Sequence, residues 1–174
     1  MVADRLQRAE FRPMKFATFA IALAIAAALA PSGAAAGFRT PESLVHNLYA
    51  YYGNGTPEFS QGLPRDAETA RRFFQPNLAR AWMDETPRPF DFMVQATAWK
   101  IGAVAIIGTI KQFDRTYVRV AFVNQGKPVA LNIVIVNDDD GWVIADVESA
   151  QDSLSSFLRR LKGPQKPKGK TPEK

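Results

Sequence analysis

The chain has 174 residues, no cysteine, and 22 Lys and Arg against 17 Asp and Glu, a formal charge of +5. Without cysteine there are no disulfides, no thiolate metal sites and no lipid-modified cysteine, so stability must come from a packed core. The positive charge is uneven: residues 159–174 hold seven basic residues and one acid, whereas residues 37–158 hold 11 basic and 14 acidic. A mildly acidic body with a basic end does not suit a nucleic-acid groove, which arrays its cations on a structured face.

In chain order, residues 1–36 read as a secretory signal peptide. Lys15 precedes an apolar h-region over residues 16–30, Pro31 breaks it, and Ala34 and Ala36 offer a small-residue cleavage site ahead of Gly37. The apolar run is shorter than the roughly 20 residues that span a bilayer, so no transmembrane span is expected in the mature form. Arg12 is followed by Pro13 rather than a second arginine. The general secretion route is therefore expected, with the product periplasmic or secreted. Met14 competes with Met1 as the start, because MKF leads directly into the apolar run.

The mature region, 37–161, is expected to form a single domain. Thr40-Pro41-Glu42-Ser43 is a helix start, with Thr40 as N-cap and Pro41 in the first turn. Leu44, Val45, Leu48, Tyr49 and Tyr52 then fall within an arc of about 140° at about 100° per residue, and Gly53-Asn54-Gly55 ends the helix. Asp66 caps a second helix carrying Ala70, Phe73 and Phe74. Pro76 divides it from a third that bears Leu78 and Trp82. Phe90 to Ala98 reads as a short helix or an irregular approach to a sheet.

From Trp99 the period changes to that of strands: Trp99–Phe113, Thr116–Asn124, Val129–Asn137 and Trp142–Val147, joined by connections short enough for hairpins. Val118, Val120 and Phe122 form one face of the second run, with Tyr117, Arg119, Ala121 and Val123 on the other. A short helix from Asp152 to Lys162 closes the domain, and residues 162–174 read as a disordered basic tail rich in Pro and Lys. Helices followed by an antiparallel meander predict an α+β fold, with a curved sheet wrapped over a long first helix.

The opening helix, the stretch FFQPNLARAW, the meander, and the strand Asp140-Gly141-Trp142-Val143-Ile144-Ala145-Asp146-Val147 together resemble the nuclear transport factor 2-like superfamily. More narrowly they resemble secreted bacterial proteins grouped as domain of unknown function 3828. The resemblance implies a cone-like cavity between sheet and first helix, used by some members for isomerase or dehydratase chemistry and by others for binding. It also implies that two copies can pair through the open sheet face. No established activity comes with it.

Among individual residues, His46 is the only histidine and falls outside the apolar arc of the first helix, so it reads as a surface residue. Asp138-Asp139-Asp140 are contiguous in a turn, unlike the spaced acids of a calcium loop. Asp146 shares strand parity with Trp142 and Ile144. It reads first as a structural group paired with Arg119 or capping the next turn, and second as a cavity base. Asp91, between Phe90 and Phe92, is a similar candidate, and Tyr117 is the candidate polariser of a substrate carbonyl.

Tyr49, Tyr52, Trp82, Trp99, Tyr117 and Arg119 are the candidate ligand-binding set, although aromatics at core spacing are more often plain core. No metal or cofactor is expected. The favoured function is a non-catalytic domain that binds a small ligand or an envelope protein. The alternatives are an isomerase- or dehydratase-type enzyme with an Asp base, and an inhibitor or immunity-type protein acting on a cell-envelope enzyme through an exposed apolar patch.

Overall fold

The first described segment of backbone runs from Gly37 through a helix start that satisfies itself. The side chain of Thr40 accepts the Ser43 N–H at 3.0 Å while the Ser43 hydroxyl oxygen accepts the Thr40 N–H at 3.2 Å. This reciprocal cap opens α1 (Pro41–Ala50), which buries Leu44, Val45, Leu48 and Tyr49. The structure is a computed structural model and describes residues 37–54 and 61–163. The signal-peptide reading, the cleavage residue Ala36 and all of the basic tail beyond Gly163 lie outside the described residues.

Asp66 caps α2 (Ala67–Phe73) by accepting the Thr69 N–H at 2.8 Å. The break before Pro76 has a use. Phe74 turns to extended geometry and bridges Ile144, and the Gln75 N–H donates to the Ile144 carbonyl at 2.9 Å. The proline then starts α3 (Pro76–Trp82), with its buried face at Leu78, Ala79 and Trp82. Two short helices are thereby pinned to the sheet at their junction.

The sheet is a meander of four antiparallel strands, β1 (Ala105–Gln112), β2 (Arg115–Asn124), β3 (Lys127–Asp138) and β4 (Gly141–Glu148), in spatial order β1-β2-β3-β4. Then comes α4 (Leu154–Leu161), which buries Leu154, Phe157 and Leu158. Val118, Val120 and Phe122 of β2 pack with Leu131, Ile133, Ile135, Ile144 and Val147 into the same core as the buried faces of the helices. Tyr117, Arg119 and Val123 of β2 are not part of that core, as the alternation predicts. The fold is α+β with an open antiparallel sheet.

Three expectations need correction. The first strand does not begin at Trp99. Residues 99–104 form an irregular approach in which Ile101 bridges Asn124, the buried Asn124 carboxamide accepts the Lys100 N–H at 3.0 Å, and Asn54 accepts the Val104 N–H at 2.9 Å. Regular pairing starts only at Ala105. Secondly, the first helix is not long, covering ten residues.

Thirdly, Asp146 does not share a face with Ile144. Val134 opposes Asp146 while Ile135 opposes Ile144, so Ala145 is an extra residue, a β-bulge that resets the alternation. Trp142 lies before this bulge and is half-buried, packed against the core margin rather than within it. Phe90 to Ala98 is neither helix nor strand but a sequence of turns closed by paired Asp91 and Ala96 backbones.

Candidate functional site

The turn at Asp91 brings to the wall of an open cavity a carboxylate whose ionisation is opposed by burial. Its backbone pairs with Ala96, the Asp91 N–H donating to the Ala96 carbonyl at 2.9 Å, which fixes the side chain's origin. Carboxylate Oδ1 accepts the Met93 N–H at 2.8 Å, an Asx turn, and Oδ2 accepts the Tyr52 hydroxyl at 3.0 Å. Tyr52 is fully buried at the end of α1. Burial pushes the Asp91 carboxyl above its ordinary range, although its two hydrogen bonds and the nearby Arg88 and Arg65 pull it the other way.

The cavity beside Asp91 has a volume of about 320 Å3. Its walls include Gln61, Arg65, Arg88, Phe90, Thr97 and Trp99. Gly62 forms a close-fitting part of the wall. It has a φ of +77°, and a Cβ there would sit 3.2 Å from the Trp99 ring and 3.6 Å from Asp91 Oδ2. Trp99 meets the Tyr52 ring edge-on, with centroids 5.5 Å apart. Arg88 is held on the inner side by Trp82: the guanidinium lies 4.2 Å from the indole centroid and donates to the Trp82 carbonyl oxygen. Trp82 is anchored in turn by its indole N–H, which donates to the Pro64 carbonyl at 2.9 Å. Burial, and then the like charge of Arg65, lower the Arg88 pKa to about 10, so it stays cationic at neutral pH.

Burial also raises the hydroxyls of Tyr49 and Tyr52 above their ordinary range, with Asp91 adding to the effect. Both are therefore neutral donors. Tyr49 gives its proton to the Met93 carbonyl at 3.3 Å and Tyr52 gives its own to Asp91.

The structure thus divides the candidate residues. Trp99 and Asp91 line the cavity, the buried Tyr52 holds Asp91 from behind, Tyr49 braces the same loop, and Trp82 acts one step back by holding Arg88. Tyr117 and Arg119 do not join them. They lie on the open sheet face with Ile107, Ile110, Asn132 and Glu148, around a broad depression of about 590 Å3. Tyr117 is therefore not a polariser for Asp91.

Asp146 belongs to neither cavity, and its expected partner is wrong. Among the described residues it forms no ion pair with Arg119, which opposes Asn132 on the neighbouring strand. Its oxygens instead accept the Ser155 N–H at 3.0 Å, the Ser155 hydroxyl at 2.6 Å and the Val147 N–H at 2.8 Å. It tethers the start of α4, the capping role weighed beside the ion pair.

His46 is exposed on α1, and Asp138 spends its carboxylate on the Asp140 and Gly141 N–H groups of its own turn. Arg65, Arg88, Gly62 and Asn124 did not stand out in the sequence. The only hint for Arg88 is its place between prolines in Thr86-Pro87-Arg88-Pro89, which holds an arginine in a constrained loop. Among the described residues no helix is long and apolar enough to cross a membrane.

The fold and the site define an α+β domain with a small, mixed-charge cavity at the end of its first helix. No family model, no curated protein and no solved structure matches the chain.

Proposed function

We propose that the protein is an exported envelope domain that binds a small polar ligand in the Asp91 cavity and does not transform it. One observation carries this: the Asp91 carboxylate borders the cavity with only neutral internal donors, Tyr52 and the Met93 N–H, and forms no ion pair among the described residues. A partly desolvated acceptor with spare lone pairs beside an indole wall suits orientation of a bound molecule.

Binding is favoured over isomerase or dehydratase chemistry by the use of the hydroxyls. A base needs a separate donor aimed at the developing oxyanion, and both buried tyrosine protons near Asp91 are already committed to protein acceptors. The relation to nuclear transport factor 2-like proteins, with its cone-like cavity and pairing through the sheet face, is part of the same proposal. The packing of α1 and the strands of the meander into one core supports it. An inhibitor or immunity-type role has support from the exposed Ile107, Ile110 and Phe113 of the β1–β2 hairpin.

The test is native mass spectrometry of the full chain after exposure to a small-molecule extract of the producing cells. A retained mass increment that Asp91→Ala and Trp99→Ala both lose is expected. No increment, or one that both variants keep, would overturn binding at this cavity. Chemical conversion of the retained compound would replace binding with catalysis.

A further inference from the structure

The charges around the cavity are arranged as a separated pair rather than a salt bridge. Asp91, Arg65 and Arg88 all line the same cavity. Both arginines are near enough to bias the Asp91 charge, yet neither pairs with it among the described residues. A ligand with a single charge would answer only Asp91 or only the arginines and forgo the charge-assisted contacts of the other side. A neutral polar ligand would answer both sides only through weaker, uncharged partners. A dipolar ligand answers both.

The valence of each group agrees. An ionised carboxylate offers about four acceptor sites, and Asp91 uses two of them internally, so two remain for an N–H donor of the ligand. Arg88 has one donor on the Trp82 carbonyl and its face on the indole, which fixes its plane while leaving other N–H groups of the fork for an oxyanion. Arg65 is exposed at the cavity and adds a second cation. The volume, about 320 Å3, is at the small end of ligand sites, and Trp99 and Phe90 supply an apolar flank for a side chain.

We propose that the Asp91 cavity takes a small zwitterion of the amino-acid type, with its ammonium on Asp91, its carboxylate toward Arg65 and Arg88, and its side chain against Trp99. This rests on the binding function proposed above and narrows it to a ligand class. Free amino acids and dipeptides share the chemistry, differing in how far apart the charges stand.

The experiment titrates the full chain with matched probes, by calorimetry and tryptophan fluorescence. These are leucine and phenylalanine, their decarboxylated amines, their N-acetyl derivatives, and the dipeptide of each. The zwitterions should bind roughly tenfold or more tightly than either half-charged analogue, the factor expected for losing one charge-assisted contact. Asp91→Asn should erase the preference over the N-acetyl acid, and Arg65→Gln should narrow the preference over the amine. Arg65 is exposed, so that variant should fold normally, and circular dichroism of both variants checks this. Preference for the dipeptide over the free amino acid would place the two charges further apart within the same class. Equal binding of the amine or the N-acetyl acid would overturn the zwitterion while keeping a binding cavity. Binding of none of the probes would also overturn it. Failure of the cell extract as well would remove the binding function itself.

Discussion

Asp91 ties the local chemistry to a measurable pH dependence. Its carboxyl is raised by burial, so the folded protein holds this proton more tightly than the unfolded chain does. The resulting stabilisation is fully present below the unfolded carboxyl value of about 3.9 and is lost as pH rises through the higher folded value. Asp91→Asn does not titrate. The stability of the wild type relative to this variant should therefore fall as pH rises above about 4, measured by urea unfolding of both proteins over a pH series. A difference that instead grows with pH would mean that Arg65, Arg88 and the two hydrogen bonds outweigh burial.

The sequence singled out Asp91 through its aromatic neighbours and Tyr52 through its helical phase, but could not join them. They are 39 residues apart and meet only because the turn at Asp91 folds back onto the end of α1. Asn124 was equally hidden. It ends a strand like many a polar residue, yet it is buried and links the Asp91 loop to β2 by donating to the Val94 carbonyl at 3.0 Å.

Among the elements, helix starts were the most readable features, because caps are local chemistry: Thr40, Asp66 and Pro76 each stand where the residue type predicts. The bulge at Ala145 was not readable. A single inserted residue leaves no compositional mark, yet it turns the next side chain to the other face. Asp146 is thereby released from the core face and reaches Ser155. Asp146→Ala should cost about 1–3 kcal/mol, since it strands the Ser155 N–H and hydroxyl at the start of α4. In double-mutant cycles monitored by chemical denaturation, Asp146→Ala and Ser155→Ala should couple by at least about 0.5 kcal/mol. Asp146→Ala and Arg119→Ala should be additive. Coupling to Arg119 instead would restore the ion pair. At its other end α4 is held by Lys162, which pairs with Asp84 at 2.8 Å just beyond α3. The first residue assigned to the basic tail thus closes the domain.

For the molecule as a whole, the proposed export fixes where the mature chain begins. Cleavage should leave an N-terminus between Ala35 and Phe38, with Gly37 expected, and Ala36→Asp should block processing by placing a charge in the small-residue pocket of the peptidase. N-terminal sequencing of protein recovered from the periplasm checks both, and recovery of an intact Met1 or Met14 terminus would refute export by this signal. The start so produced is not a loose end. A Cβ on Gly37 would lie 2.0 Å from the Asp140 carbonyl oxygen, and Gly141 in turn packs against Gly37, so two glycine backbones sit together without room for side chains.

That junction also orders events in time. Phe38 bridges Trp142, and the Trp142 N–H donates to the Phe38 carbonyl at 3.1 Å, so the opening residues dock on a strand about a hundred positions further along the chain. Contacts of such long sequence separation form only after the intervening loop has been closed. A chain that crosses a membrane amino end first would have to deliver β4 before this seam can form. Until then Phe38 has no strand to join, so this seam is among the last contacts that such a chain can make.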